Sequence, residues 1–114
     1  GQFLDAMAEL EPGAPFYLML ADEAANGYRL YLEAVPAAGF AARLDIALGE
    51  RNVEYRDKRA SDRLAPLEVV TLRPGCGDAY KQHLIARGQR EGQFKYLVVQ
   101  YARDCAFDFG EWQV

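Results

Sequence analysis

Phe3, Leu4, Met7 and Leu10 recur at three- and four-residue spacing ahead of Pro12-Gly13. One apolar face ended by a helix breaker predicts a short amphipathic helix over residues 2–10. The pattern then changes period. Phe16 to Leu20 is an unbroken apolar run, and Tyr28 to Val35 alternates Tyr28, Leu30 and Leu32 with Arg29, Tyr31 and Glu33. Between them Ala25-Asn26-Gly27 supplies residues that tolerate positive φ, so the two runs predict a β-hairpin. Pro36 closes the second strand. Phe40, Leu44 and Ala47 or Leu48 restore helical spacing in an Ala-rich stretch, and Val53, Tyr55 and interleaved charges carry it on. A long helix is expected from near Ala37 to about Ala60, softened but not ended at Gly49.

Residues 62–66 read as a connector. Leu67 to Leu72 predicts a short strand closed by Pro74-Gly75, and Asp78 is the candidate N-cap of a helix running through Tyr80, Leu84 and Ile85 to Gly88. Tyr96 to Tyr101 is the last β-rich run. The expected order is helix, strand, strand, helix, strand, helix, strand. It implies an α+β fold in which a small mixed or antiparallel sheet, with its β-hairpin, carries two long helices packed on one face.

With 114 residues, 51% hydrophobic and 26% charged, the chain suits one globular domain, and it is too short for a two-domain ATP-using enzyme. It reads as part of a longer protein. A net charge of -4 opposes non-specific binding to nucleic acid, which requires an excess of cations. Arg51, Arg56, Lys58, Arg59 and Arg63 do cluster, but Glu50, Glu54, Asp57 and Asp62 are interleaved with them, as on a solvated helical face with local ion pairs.

Cys76 and Cys105 do not have metal-ligand spacing, and His83 is the one histidine, so no zinc site is expected. His83 reads as a helix-surface residue. Cys76 stands where a helix N-terminus could lower a thiol pKa, yet no base lies near it in sequence, and a structural role is expected. Sparse cysteines favour a reducing cytoplasm. Residues 1–10 lack the pattern of a signal peptide, and no apolar run is long enough to span a bilayer. Walker-type glycine loops, nucleophile elbows and paired carboxylates at defined spacing are all missing, so any chemistry requires another domain. Phe107, Phe109 and Trp112 form an apolar tail able to dock on this domain or on a partner.

Gly92-Gln93-Phe94-Lys95 sets one cation between two aromatic residues, Phe94 and Tyr96, after a glycine. Alone it is a weak signal. The ordered set Asn52, Tyr55, Arg59, then Leu64, Pro66, Leu67, Val70, Pro74-Gly75, Gly88 and Gln93-Phe94-Lys95 resembles the C-terminal domain of the Gretchen Hagen three family, the acyl-acid amido synthetases. Tyr31-Leu32-Glu33 is similar to that family's strand ending in an aromatic residue and Glu. The resemblance implies a two-domain, acyl-adenylating enzyme. Its large N-terminal domain would bind ATP, magnesium and a carboxylic acid, and an amino acid would then displace AMP from the acyl adenylate. The small C-terminal domain would close over the site, carry Lys95 into it as the catalytic cation, and be inactive alone. Where the family continues from this lysine to Pro-Arg, this chain has Tyr96, Leu97 and Val98. Two other readings are an independent small-ligand or protein-interaction module of the same fold, and an oligomerising domain.

Overall fold

A computed structural model describes residues 2–11, 13–88 and 98–114. α1 (Gln2–Leu10) precedes the antiparallel pair β1 (Tyr17–Asp22) and β2 (Gly27–Leu32). Asn26 sits in the turn at φ 52, the left-handed region expected of an Asn-Gly turn. α2 (Phe40–Arg51), α3 (Val53–Ala60), β3 (Glu68–Thr71), α4 (Cys76–Ala86) and β4 (Val99–Tyr101) follow. The sheet order is β3-β2-β1-β4, with β3 parallel to β2 and β4 parallel to β1. The result is the expected α+β fold with a mixed sheet.

β1 explains how the layers are arranged. Leu18, Met19 and Leu20 are all buried in succession, which requires cover on both faces of the strand because neighbouring side chains point opposite ways. Met19, Leu30 and Leu32 meet Phe3, Ala6 and Met7 of α1 and Phe40, Leu44, Ala47 and Leu48 of α2. Phe16, Leu18, Leu20 and Tyr31 meet Cys76 and Tyr80 of α4. The two long helices expected to share a face are thus divided. α2 lies on one face with α1, and α4 lies on the other.

The expected continuous helix over residues 37–60 is broken at Asn52, whose backbone is extended (φ -144, ψ 108). Its Oδ1 accepts the Tyr55 N–H at 3.1 Å and so caps α3, while its Nδ2 donates to Gln2 Oε1 at 3.1 Å. Gly49 stays within α2, where a Cβ would make only ordinary contact with α3, 3.4 Å from Arg56 Cβ. Asn52→Ala removes the cap and the bond to α1, and is expected to lower stability by about 1–2 kcal/mol in urea titration.

Asp78 is not the cap of α4. The helix begins two residues earlier, with Gly75 at the N-cap position (φ 96) and no side-chain cap from that residue. β3 is slightly shorter than the expected Leu67 to Leu72 strand, and of the expected Tyr96 to Tyr101 strand, residues 96 and 97 lie outside the described residues. The C-terminal tail docks on this domain. Phe109 is 4% exposed and stacks on Tyr31 with ring centroids 4.3 Å apart. Beyond it Arg73 N donates to Trp112 O and Val114 N to Thr71 O, so the chain end runs antiparallel beside the β3 edge. Among the described residues no helix is long and apolar enough to cross a membrane.

Candidate functional site

One end of the sheet brings together the start of β1, the ends of β2 and β3, the start of β4 and the N-terminus of α4. Glu33, just past β2, donates its backbone N–H to Phe16 O at 2.9 Å. Its Oε1 accepts the Gly77 N–H at 2.6 Å. A carboxylate from 44 residues away therefore does for α4 what Gly75 cannot, satisfying a free N–H and complementing the positive end of the helix.

Close approach makes the contact possible. A Cβ on Gly77 would lie 2.7 Å from Phe16 Cβ, a distance that no packed side chain tolerates. At Gly75 the Trp112 ring stands 3.6 Å from where a Cβ would be. Gly75-Cys76-Gly77 thus presses the helix start between β1 and the tail.

Cys76 lies within this contact, fully buried. Its thiol is pushed up from the ordinary 9.0 to about 12 by desolvation, with the Glu33 charge adding to the effect. Position at a helix N-terminus does not activate it, and the expected structural role holds. In the native protein at pH 8 its alkylation by iodoacetamide is expected to be about a thousandfold slower than in the unfolded chain, read by mass spectrometry. Between pH 9 and 12 only the unfolded thiol ionises, so rising pH there weakens the fold.

Lys95 lies outside the described residues. The described chain resumes at Val98, which packs on the α1–α2 core and accepts the Met19 N–H on its carbonyl at 2.7 Å. β4 therefore joins β1 four residues after Lys95 in the sequence, at the sheet end where Glu33 caps α4.

Of the residues expected to line one charged face, Arg51 and Arg59 connect helices, while Arg56, Lys58 and Arg63 are exposed. Arg59 Nε is 3.0 Å from Asp45 Oδ1 and its Nη1 donates to Leu64 O at 3.1 Å. Tyr55 donates its hydroxyl to the same Asp45, and burial with that hydrogen bond pushes its pKa up. Arg51 pairs with Glu9 of α1, and Arg56 with its neighbour Asp57. Asp45, Ile46, Gly49, Glu50, Tyr55 and Arg59 line an open cavity of about 250 Å³ between α2 and α3, in which Asp45 is already engaged by Tyr55 and Arg59. Asn52, Tyr55 and Arg59 hold the α2–α3 elbow. His83 is half-buried on α4, 5.3 Å from the Phe107 ring. No group of three His, Cys, Asp or Glu side chains suited to a metal occurs among the described residues.

A model of the GH3 family C-terminal domain matches residues 4–103. The chain belongs to the GH3 family. Among solved structures, this GH3 C-terminal domain is similar to one described as "GH3.15 acyl acid amido synthetase", with a TM-score of 0.77 and 19% identity over 99% of this chain and 23% of that one. A second, described as "AtGH3.15 acyl acid amido synthetase in complex with 2,4-DB", has a TM-score of 0.68 and 21% identity over 86% of this chain and 20% of its own. At these identities the likeness concerns the fold. The chain spans less than a quarter of the length of either structure. No curated protein matches it.

The Glu33–Gly77 contact has no local sequence signal beyond two glycines around Cys76. The sequence left the apolar tail Phe107, Phe109 and Trp112 to dock on this domain or on a partner, and it packs on this domain.

Proposed function

We propose that this chain is the closing C-terminal domain of an ATP-dependent acyl-acid amido synthetase, which adenylates a carboxylic acid and conjugates it to an amino acid. The observation that carries the reading is the family match across residues 4–103. In this reading ATP, magnesium and the acid are held by a large N-terminal domain. Cys76 and Cys105 are both free thiols, in keeping with a reducing cytoplasm.

Lys95 supplies a compact positive charge beside the substrate carboxylate and the α-phosphate as the two anions approach. It offsets their repulsion and the charge that develops on phosphorus. Domain movement then exposes the acyl adenylate to the amine. Alone, the domain is inactive.

The test is pyrophosphate release by the full-length protein with ATP, magnesium and a panel of carboxylic acids. Release that depends on the acid, with none from residues 1–114 alone, is the expected result. Release with no acid in the panel, or tight binding of a small ligand by residues 1–114, would instead favour an independent binding module.

A further inference from the structure

Ile46 and Val53 stand where helices facing water normally carry polar side chains. Phe40, Leu44, Ala47 and Leu48 give α2 its buried face, and Ile46, off that face, is 61% exposed. Val53 opens α3 and is 59% exposed, at a position where a β-branched residue gains nothing from helix propensity or from the helix dipole. Neither side chain belongs to the core of this domain. Exposed apolar residues scattered singly need no explanation. Here Ile46 also lines the open cavity of about 250 Å³ between α2 and α3, and Val53 begins the helix that forms the cavity's other wall.

The rest of the lining suits an apolar guest. Gly49 has no side chain to fill the space, and Asp45 is neutralised by Arg59 and bonded by the Tyr55 hydroxyl, so its charge does not oppose an apolar group. Glu50 and Arg56 complete the lining with side chains exposed to water. An apolar centre with a charged, solvated margin is the anatomy of a protein interface.

The cavity also lies near the start of α1. Gln2 Nε2 donates to Arg51 O at 2.8 Å, and Gln2 Oε1 accepts from Asn52 Nδ2 at 3.1 Å. The first turn of α1 is thereby held at the elbow between Glu50 and Val53. This domain corresponds to 23% of the similar synthetase structure, and in the proposed reading the N-terminal domain precedes α1. A domain joined to the chain there meets the elbow at an effective concentration far above that of any free partner.

We propose that the cavity between α2 and α3 is the seat of the N-terminal domain: an apolar side chain of that domain enters it against Ile46, and polar groups around the anchor face Glu50 and Arg56. The proposal rests on the reading of this chain as the C-terminal part of a larger synthetase, and does not depend on Lys95. The contact is present without substrates.

The test uses the full-length protein carrying Ile46→Cys, without substrates, and reads maleimide labelling at position 46 by mass spectrometry. With the seat occupied, labelling is expected to be at least about tenfold slower than in the urea-unfolded chain, and independent of protein concentration. Val53→Cys is the second variant, used should Ile46→Cys not fold, and the same protection is expected of it. Labelling close to the unfolded rate at position 46, or at position 53 where that variant is used, overturns the proposal. Protection that is lost on dilution places a second copy of the chain on the surface and overturns it as well. Pyrophosphate release separates the two readings: concentration-independent protection with no acid-dependent release keeps the seat and removes the enzymatic reading, whereas release without protection does the reverse.

Discussion

Leu30→Ala is expected to destabilise the domain by about 2–5 kcal/mol, toward the upper end of that range. Leu30 is 0% exposed on β2, where it pairs in register with Met19 of β1 and Val69 of β3 beneath the helices of the first core. Part of the loss is the transfer of the removed methyl and methylene groups, and part is the cavity left behind. How far the cavity closes decides the magnitude. β2 has a hydrogen-bonded strand on each side, so its backbone cannot move toward the helices without breaking both ladders. Closure would have to come from α1 and α2, which are tied together through Gln2, Arg51 and Asn52. Against a total stability of about 5–15 kcal/mol for a domain of this kind, the loss is a large fraction. Urea unfolding should show a lower midpoint with an unchanged slope. A loss below about 1 kcal/mol would mean that the core repacks around the gap, contrary to this account.

The hairpin was legible because its determinants are local: two apolar runs and, between them, an Asn-Gly pair whose backbone preference fixes the turn. α1 was legible for the same reason. The break at Asn52 was not, because helical periodicity continues across it from Leu44 and Leu48 to Tyr55, and Gly49 looked the weaker point. The structure reverses that ranking through tertiary contact. Gly49 stays within α2, whereas Asn52 leaves the helix to cap the next one and to reach Gln2. Which face α4 covers was also hidden in plain composition. The unbroken run Phe16 to Leu20 calls for cover on both sides of β1, a demand that alternation counts along β2 alone do not express. At the candidate site, Gly75 was visible as a turn residue, but Glu33 as the cap of α4 joins positions 44 residues apart and only the fold brings them together. The resemblance carried by Asn52, Tyr55 and Arg59 pointed to the right family through residues whose work here is structural.

Lys95→Ala is expected to lower acid-dependent pyrophosphate release by the full-length protein about a hundredfold or more, with KM for the acid little changed. In the proposed reaction a carboxylate oxygen attacks the α-phosphorus, so two anions are driven together and negative charge builds on the phosphoryl oxygens. A unit charge about 4 Å away in a site of intermediate dielectric contributes about 4 kcal/mol, before its own desolvation is subtracted. The loss should appear in kcat because this interaction grows as the bond forms and is weaker with the separated substrates. Lys95→Arg keeps the charge but replaces a compact ammonium with a planar fork, so it should recover only part of the rate. The departure from the family pattern sharpens the test. Where Pro-Arg would follow the lysine, this chain has Tyr96 and Leu97 and then Val98, which packs on the core and accepts the Met19 N–H. The lysine is therefore separated from a fixed point in the sheet by two residues, neither a proline. If that short tether is sufficient to place the charge, Tyr96→Pro will add nothing to the rate. A large gain from Tyr96→Pro would show that the restricted backbone of the family sequence, and not the anchoring of Val98, is what presents the lysine.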